Sequence, residues 1–273
     1  MKTINFVSFN ANSLRVRMHQ IEKIIAVYQP EVIGIQETKV EDSKFPEDEI
    51  RALGYYSYFS GQPTHYGVAL LSKTPLTNVG STLEGHHDQS QKRFICADLQ
   101  RGDHTLHVIN TYFPQGENRE HPSKFANKLA FYDSVTQHLI CQRKHKPNIV
   151  LLGDLNVAPA DDDVQISESS QKRWLKTGTC SFLPEERDKF MELLDQCMVD
   201  PYTTHRADDT HRASWFDYRN RGFSRSPKSG LRIDFTLVSE ALSPKVESCS
   251  IDHNIRGMDK PSDHCPVIVS ITV

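Results

Sequence analysis

Apolar and polar residues alternate along the chain with two different periods, and both periods predict regular elements. Apolar-rich runs at residues 4–9, 32–36 and 149–152 are typical of strands that are buried on both faces. Apolar residues spaced three and four apart over residues 18–28 and 122–141 predict amphipathic helices. The pattern therefore predicts units in which strands alternate with helices.

Strand patterns separated by short turn segments predict hairpins in the remainder of the chain. The paired segments are residues 55–60 with 67–72 and 93–99 with 105–112, and the closing strands are 233–238, 245–251 and 267–273. Pro46 and Pro184, each followed by glutamates, mark the first turns of two further helices. This mixture of elements favours two layered sheets with helices outside. The sequence shows no linker and no repeat, so we expect a single domain that spans residues 1–273.

The composition indicates a soluble globular protein, with 37% hydrophobic and 25% charged residues. Because the formal net charge is -3 at pH 7, the chain lacks the overall positive field that would indicate a nucleic-acid partner, and any basic surface must be local. The six cysteines show no metal-ligand spacing, which predicts buried free thiols in a reducing compartment. The sequence has no signal-peptide pattern and no long apolar span. We therefore expect a cytoplasmic protein with no membrane partner.

Polar residues that could take part in chemistry stand at the ends of several apolar runs. They are Asn10, Glu37, Tyr112, Asp154 with Asn156, Asp234, and the pair Asp263 and His264. Each one alone is typical of a turn or a cap, but strand ends could gather them on one rim. Carboxylate and amide oxygens without a Cys or His cluster suit a hard ion such as Mg2+ or Mn2+. Such an ion typically acts on phosphate esters.

Two polar segments lie beyond the strand end that carries Asp154 and Asn156. Residues 158–170 contain Asp161, Asp162 and Asp163 but lack the glycine that an EF-hand loop needs, so we expect these acids to be solvated. Residues 205–232 hold seven basic and three acidic residues, interleaved with four aromatic residues. This composition fits phosphate contact with stacking or wedging of a nucleotide. The alternative is a solvated loop whose aromatic side chains pack into the core.

Eight short segments occur in the order in which they occur in one known family of enzymes. They are residues 8–15, 36–39, 67–71, 112–116, 153–156, 214–219, 231–234 and 262–266, with further similarity at 172–178 and 180–187. On these segments, which span nearly the whole chain, the sequence resembles the bacterial exonuclease III family of the endonuclease/exonuclease/phosphatase superfamily.

The resemblance implies a fold and an activity. The implied fold is a four-layered α/β sandwich of two packed mixed sheets flanked by helices. The implied activity is that of a Mg2+-dependent, monomeric enzyme of base-excision repair, with Mn2+ as a possible substitute. Such an enzyme acts on double-stranded DNA: it cuts 5' to abasic sites, removes 3' blocking groups, and degrades duplex DNA from 3' ends.

The resemblance also implies a metal site and a group that activates water. Glu37 corresponds to the principal metal ligand, with Asn10 and Asp263 in or beside the metal site. Asp154 corresponds to the residue that positions or deprotonates the attacking water, and Asn156 helps to hold it. In-line attack on a phosphodiester needs both an activated water and neutralised phosphate oxygens.

Three further roles follow from the same resemblance. His264, oriented by Asp234, corresponds to the group that contacts the scissile phosphate, and Tyr112 to a donor on the phosphate or leaving-group side. Two positions depart from the family pattern, because Ser13 stands where a glycine is common and Cys265 where an alanine is common. We expect Ser13 to stiffen or re-aim the first loop and Cys265 to be a packed thiol rather than a nucleophile.

The implied DNA contacts fall into a pocket and a backbone-binding surface. An extruded abasic sugar lacks a base, so a small apolar pocket can accept it and exclude a normal nucleotide. The pocket candidates are Trp215, Leu231 and Ile233, and the other DNA-contact candidates are Gln115, Lys124, Arg93, Phe216 and Arg219.

Two other functions are compatible with parts of the pattern. An inositol-phosphate or sphingomyelin phosphodiesterase of the same superfamily would share Glu37, Asp154 and His264 but would not be expected to carry the segment around Trp215. An inactive DNA-end binder is a different class of protein, and the presence of every expected ligand and proton carrier argues against it. A metal-dependent turnover assay separates these alternatives.

Overall fold

The computed structural model describes residues 2–205 and 211–273. Its strands, in chain order, are β1 (Thr3–Asn10), β2 (Val32–Gln36), β3 (Tyr56–Ser60), β4 (Val68–Ser72), β5 (Thr77–Gly80), β6 (Phe94–Arg101), β7 (His104–Tyr112), β8 (Ile149–Asp154), β9 (Val164–Gln165), β10 (Met198–Val199), β11 (Gly230–Leu231), β12 (Asp234–Ser239), β13 (Val246–Ile251) and β14 (Val267–Thr272). The helices are α1 (Met18–Tyr28), α2 (Glu47–Ala52), α3 (Lys124–Gln142), α4 (Glu168–Thr177), α5 (Pro184–Cys197), α6 (Tyr202–His205) and α7 (His253–Arg256).

Two six-stranded mixed sheets form the centre of the molecule. The first has the order β13-β14-β1-β2-β4-β3 and the second the order β10-β12-β8-β7-β6-β5. The pair β1–β2 is parallel in the first sheet and the pair β7–β8 in the second, whereas the other described pairings are antiparallel. This arrangement confirms the predicted layered sheets.

Side-chain alternation along the strands produces one core between the sheets and one outside each sheet. Phe6 of β1 and Leu152 of β8 pack in the inner core. Val7 of β1 faces α1 and α2 in the core outside the first sheet, and Leu151 of β8 faces α3 and α5 in the core outside the second. The predicted four-layered sandwich is confirmed, because successive residues of a strand point to opposite faces and each face is covered.

The same alternation places polar residues at one end of the inner core. Every second residue of these strands faces the inner core, and at one end of each strand the residue in that position is polar. These residues are Asn10 on β1, Gln36 on β2, Tyr112 on β7, Asp154 on β8 and Asp234 on β12. The two sheets therefore converge on a polar rim where their shared apolar core ends.

The acidic segment after β8 departs from its predicted solvation. Asp161 and Asp162 are exposed, but Asp163 is fully buried, where its oxygens accept hydrogen bonds from Arg232 at 2.8 and 3.0 Å. Asp200 binds the same guanidinium at 2.8 Å. The prediction for Asp163 was wrong because a partner 69 residues away neutralises its charge, and hydropathy along the chain does not reveal such a pair.

Two further differences concern a helix and a thiol. Helix α4 was not predicted because none of its residues is buried, so it carries no apolar stripe. The cysteines at 96, 180, 249 and 265 are buried free thiols as predicted, but Cys141 is exposed, and the side chain of Cys197 lies outside the described part of the structure. Within the described ranges, no helix is both long and apolar enough to cross a membrane.

Candidate active site

Three neighbouring strands of the second sheet bring three of the candidate residues to one level. Asp154 at the end of β8 lies opposite Tyr112 of β7 on one side and opposite Asp234 of β12 on the other. All three side chains point to the inner face, so the register of the sheet alone places two carboxylates and a phenol together. Asp154 and Asp234 are 2% and 1% exposed.

The first sheet contributes Glu37 and Asn10 across the inter-sheet core. The side-chain nitrogen of Asn10 donates hydrogen bonds of 2.9 Å to both Glu37 Oε1 and Asp154 Oδ2. Lys39 Nζ lies 2.8 Å from Glu37 Oε2. Glu37 follows β2 with a φ of 52°, a left-handed conformation that is uncommon outside glycine and typical of functional sites. Asn10 therefore links the carboxylates of the two sheets.

His264 is held in one orientation by Asp234. Its Nδ1 donates to the two carboxylate oxygens of Asp234 at 3.0 and 2.9 Å, and Ser214 Oγ donates to the same carboxylate at 2.6 Å. The opposite nitrogen, Nε2, lies 3.9 Å from Asp154 Oδ2. This arrangement fixes which imidazole nitrogen faces the other candidate residues.

Glu37, Asp154 and His264 each offer one atom to a group in which all atoms lie within 4.8 Å of one another. Burial, followed by the charge of Asp234, raises the pKa of the Asp154 carboxyl to about 8. Burial opposes the charged form of His264, but the charge of Asp234 and its hydrogen bond outweigh it and raise the pKa of the imidazole to about 10. Repulsion among these carboxylates makes a bound cation favourable, and hard carboxylate oxygens suit Mg2+ or Mn2+.

Tyr112 keeps its proton in this environment. Burial, followed by the negative charges of Glu37 and Asp154, raises the pKa of its phenol well above the ordinary value. The phenol is therefore a hydrogen-bond donor at neutral pH and not a base.

The other two residues predicted for the metal site are present but occupied by neighbours. The side-chain nitrogen of Asn10 donates to Glu37 and Asp154, while its Oδ1 accepts a hydrogen bond of 3.0 Å from the backbone nitrogen of Asn12. The carboxylate of Asp263 accepts a hydrogen bond of 2.8 Å from Asn12 Nδ2 and one of 3.0 Å from Trp215 Nε1. Asn10 adjoins Glu37, and Asp263 lines the same cleft as Glu37. Direct ligation would require each to exchange a present partner.

A buried lysine anchors the segment that carries Asn156. The backbone nitrogen of Asn156 donates to Asp154 Oδ1 at 3.0 Å, and its side chain donates to the Phe113 carbonyl at 3.0 Å. Lys128 Nζ donates to the Asn156 carbonyl at 2.7 Å and forms a fully buried ion pair with Glu186. Sequence reasoning missed Lys128, because the helical spacing of α3 marks only its apolar residues.

A cleft of about 170 Å³ opens over this group. Its apolar wall contains Ile233 and Trp215, two of the pocket candidates, and also Trp174. Trp174 stacks on Phe182 at 5.5 Å between ring centroids. Leu231 is 1% exposed and supports this wall from beneath, so its predicted contact with DNA is wrong. Trp174 lies on the polar helix α4, within the family segment 172–178, and the apolar periodicity gives no signal for it.

A second cleft of about 230 Å³ adjoins the first through Tyr112 and Gln115. Arg93 and Lys124, both predicted to contact DNA, line it together with Gln115. The Arg93 guanidinium lies between two rings, 4.2 Å from the centroid of Tyr66 and 4.7 Å from that of Tyr112. Three candidate backbone contacts therefore share one groove beside the acidic group.

The aromatic and basic segment 205–232 divides between core and surface. Phe216 is fully buried against Phe223, so its predicted contact with DNA is wrong, and the alternative of aromatic side chains in the core holds for this residue. Arg232 is buried in its pairing with Asp163 and Asp200 and does not contribute to a basic surface. Arg219, Arg221 and Arg225 are exposed, whereas Arg206, Asp208 and Asp209 lie outside the described residues.

Comparisons with known proteins agree with this geometry. A model of the endonuclease/exonuclease/phosphatase family matches residues 7–264. Exodeoxyribonuclease III from Haemophilus influenzae is 44% identical over 264 residues, which cover 97% of this chain and 98% of that protein. A solved structure of a 3' phosphatase from Neisseria bound to a product DNA hairpin is similar, with a TM-score of 0.89 and 32% identity over 99% of this chain and 100% of that chain.

An AP endonuclease from Archaeoglobus fulgidus is also similar, with a TM-score of 0.88 and 29% identity over 99% of this chain and 100% of that chain. Both the family model and the relative from H. influenzae span the segments that carry Glu37, Asp154 and His264. The chain therefore belongs to the endonuclease/exonuclease/phosphatase family, in the branch of exodeoxyribonuclease III.

Proposed function

We propose that this chain is a metal-dependent phosphodiesterase of DNA repair. It cleaves duplex DNA 5' to abasic sites, removes 3' blocking groups and degrades duplex DNA from 3' ends. The observation that carries the proposal is the group formed by Glu37, Asp154 and His264 at the base of a cleft with an apolar wall. Its nearly full-length similarity to exodeoxyribonuclease III at 44% identity supports the choice of DNA as the substrate.

Two side chains of this site suit the steps of phosphodiester hydrolysis. Asp154 is held by hydrogen bonds from Asn10 and from the backbone of Asn156, so it can position a water. It could accept the proton of that water once a cation bound beside it favours the ionised carboxylate. His264 carries a positive charge at neutral pH, since its pKa is raised to about 10, and it can stabilise negative charge on a phosphate. Pre-organised groups of this kind contribute on the order of 10²-fold or more each to the rate.

The cofactor that fits this donor set is Mg2+, with Mn2+ as an alternative. Glu37 would hold it, with Asn10 and Asp263 beside it. When bound, the ion neutralises phosphate oxygens and lowers the barrier to attack. The carboxylate oxygens of the site match a hard ion better than they match Zn2+.

The cleft suits an abasic sugar better than a nucleotide with its base. Trp215, Trp174 and Ile233 form an apolar wall, and the cleft of about 170 Å³ leaves little room for a stacked base. Arg93, Gln115 and Lys124 in the adjoining groove supply donors for the phosphate backbone.

We also propose that the enzyme acts as a monomer in the cytoplasm. Every side chain of the site comes from one chain, and the described free thiols, four of them buried and Cys141 exposed, suit a reducing compartment.

A cleavage assay on three duplexes tests the proposed function. One duplex carries a tetrahydrofuran abasic analogue, one ends in a 3' phosphate, and one is undamaged; each is incubated with Mg2+, with Mn2+ and with EDTA. We expect metal-dependent incision 5' to the analogue, release of phosphate from the blocked end, and slower shortening of undamaged 3' ends. The proposal would be overturned if the protein cleaved none of the three duplexes and instead hydrolysed inositol phosphates or sphingomyelin.

Matched variants separate the site from the surface. Glu37→Gln removes a charge from the site. Glu41→Gln, four residues further along the chain, removes a charge from the surface ion pair with Lys44. We expect loss of cleavage on the order of 10²-fold or more for the first and wild-type cleavage for the second. Equal effects would contradict the assignment of Glu37.

A further inference from the structure

A second cluster of potential metal ligands lies on the outer face of the second sheet, under α3. Cys96 of β6, His107 of β7 and His138 of α3 each offer one ligand atom, and these atoms lie within 4.8 Å of one another. Cys96 is 8% and His107 is 1% exposed. No residue of the candidate active site belongs to this cluster, which contains sulfur and imidazole in place of carboxylate.

The two imidazole groups leave nitrogen atoms without hydrogen-bond partners. Within the described residues, neither Nε2 of His107 nor Nε2 of His138 has a partner, and both atoms are buried. Buried polar atoms in native proteins are nearly always satisfied, so each exception needs an explanation. One cation could satisfy both nitrogens and bind the thiol of Cys96 at the same time.

A carboxylate orients His107 as it would orient a metal ligand. Its Nδ1 donates to Asp98 Oδ1 at 2.6 Å. Asp98 is in turn held by Lys146 Nζ, 2.9 Å from both oxygens, and by Asn78 Nδ2 at 2.8 Å. Because Nδ1 carries the proton, Nε2 is the nitrogen that keeps a lone pair for a cation. Carboxylate–histidine pairs of this kind fix the tautomer of metal-ligating histidines.

We propose that Cys96, His107 and His138 form a binding site for Zn2+, with Asp98 orienting His107 and a water completing the coordination. Zn2+ lies about 2.3 Å from thiolate sulfur and about 2.0 Å from imidazole nitrogen, so one sulfur and two nitrogens of a tetrahedral site stand roughly 3.3–3.6 Å apart. The three ligand atoms, which lie within 4.8 Å of one another, would therefore close by at most about 1.5 Å. On binding, the thiol of Cys96 releases its proton to solvent, and both imidazoles bind as neutral groups. The thiolate and imidazole ligands of this cluster prefer Zn2+, whereas the carboxylates of the candidate active site prefer Mg2+.

The protonation of His138 agrees with this assignment. Burial, followed by the nearby His107, lowers the pKa of its imidazole to about 4, so the ring is neutral and available to a cation at neutral pH.

A Co2+ titration of the reduced full-length chain, in excess Mg2+, tests the site. Cobalt bound to a thiolate gives a sulfur-to-metal charge-transfer band in the near ultraviolet, which a carboxylate site does not give. We expect this band to saturate with a single equivalent, to disappear in Cys96→Ser and to be lost or strongly weakened in His138→Gln. Cys141→Ser is the matched control, because Cys141 is an exposed thiol on α3, one turn after His138. This variant should retain the full band.

Two more variants complete the test. Asp98→Asn should weaken binding about 10–100-fold, since loss of an orienting carboxylate has an effect of that size. Glu37→Gln should leave the band unchanged, which separates this cluster from the candidate active site. A band that is absent from the wild type, or that survives in Cys96→Ser, would overturn the proposal.

X-ray absorption of the zinc-loaded wild-type protein avoids dependence on any variant that fails to fold. We expect one sulfur at about 2.3 Å and light-atom ligands, including two imidazoles, at about 2.0 Å. A shell of nitrogen and oxygen without sulfur would overturn the assignment.

Discussion

Replacing the buried Lys128 by methionine should destabilise the fold and loosen the candidate site at the same time. Lys128 and Glu186 are both fully buried, and Lys128 Nζ also donates to the carbonyls of Asn156 at 2.7 Å and Gln115 at 3.2 Å. Both acceptors belong to segments that line the cleft. The methionine fills a similar volume but leaves the glutamate without its countercharge.

The size of the effect follows from what Glu186 retains. Its carboxylate still accepts hydrogen bonds from the backbone of Ser181 and Leu183, each at 2.8 Å. Removal of one partner from a buried pair typically costs 3–5 kcal/mol, so we expect about 3 kcal/mol, the lower end of that range, for Lys128→Met. Adding Glu186→Gln removes the stranded charge, so the double variant should recover about 1 kcal/mol or more.

Urea unfolding followed by circular dichroism measures this prediction. With a slope of about 3 kcal/mol per molar, the midpoint of Lys128→Met should fall by about 1 M. The folded variant should also show a lower kcat on the abasic duplex, by on the order of tenfold or more, because small displacements of positioning groups reduce the rate strongly. A loss below about 1 kcal/mol, or a double variant less stable than Lys128→Met alone, would refute the reasoning.

Three other substitutions test separate parts of the account. Ser13 has a φ of 94°, which favours glycine, so Ser13→Gly should raise the free energy of unfolding by about 1 kcal/mol, and a lower urea midpoint would contradict this. Asp234→Asn should lower kcat on the order of 10²-fold or more with little change in KM, because His264 loses its orienting charge; an unchanged kcat would exclude this role. Trp215→Ala should reduce the ratio of abasic incision to 3' degradation, measured on paired duplexes, and an unchanged ratio would show that this wall does not select the lesion.

The sequence predicted the main strands and their polar ends because period-two alternation is a local property. Asp154, Tyr112 and Asp234 each follow or begin an apolar run, and the sheet register then brings them opposite one another. The family segments also contain Asn12, Lys39 and Ser214, whose hydrogen bonds and ion pair complete the site, so a signal for these residues was available.

Long-range charge pairs and the burial of neighbouring aromatics were not predictable in this way. Lys128 pairs with Glu186, which lies 58 residues further along the chain. No local periodicity of the sequence indicates such a pair. Trp215 lines the cleft while the adjacent Phe216 is fully buried in the core, because the sheet-like pairing of Trp215 with Leu231 and His264 sends alternate side chains to opposite sides. Composition alone treats both as candidates for stacking on a nucleotide.

We propose that a single metal-dependent centre, containing Glu37, Asp154 and His264, cleaves both damaged and blocked DNA. The most direct test compares Glu37→Gln with the wild type on the abasic and 3'-phosphate duplexes in Mg2+, with DNA binding measured separately in EDTA by fluorescence anisotropy. We predict that both cleavage rates fall together on the order of 10²-fold or more while binding stays within a few-fold. Retention of either activity near the wild-type rate would contradict a single centre.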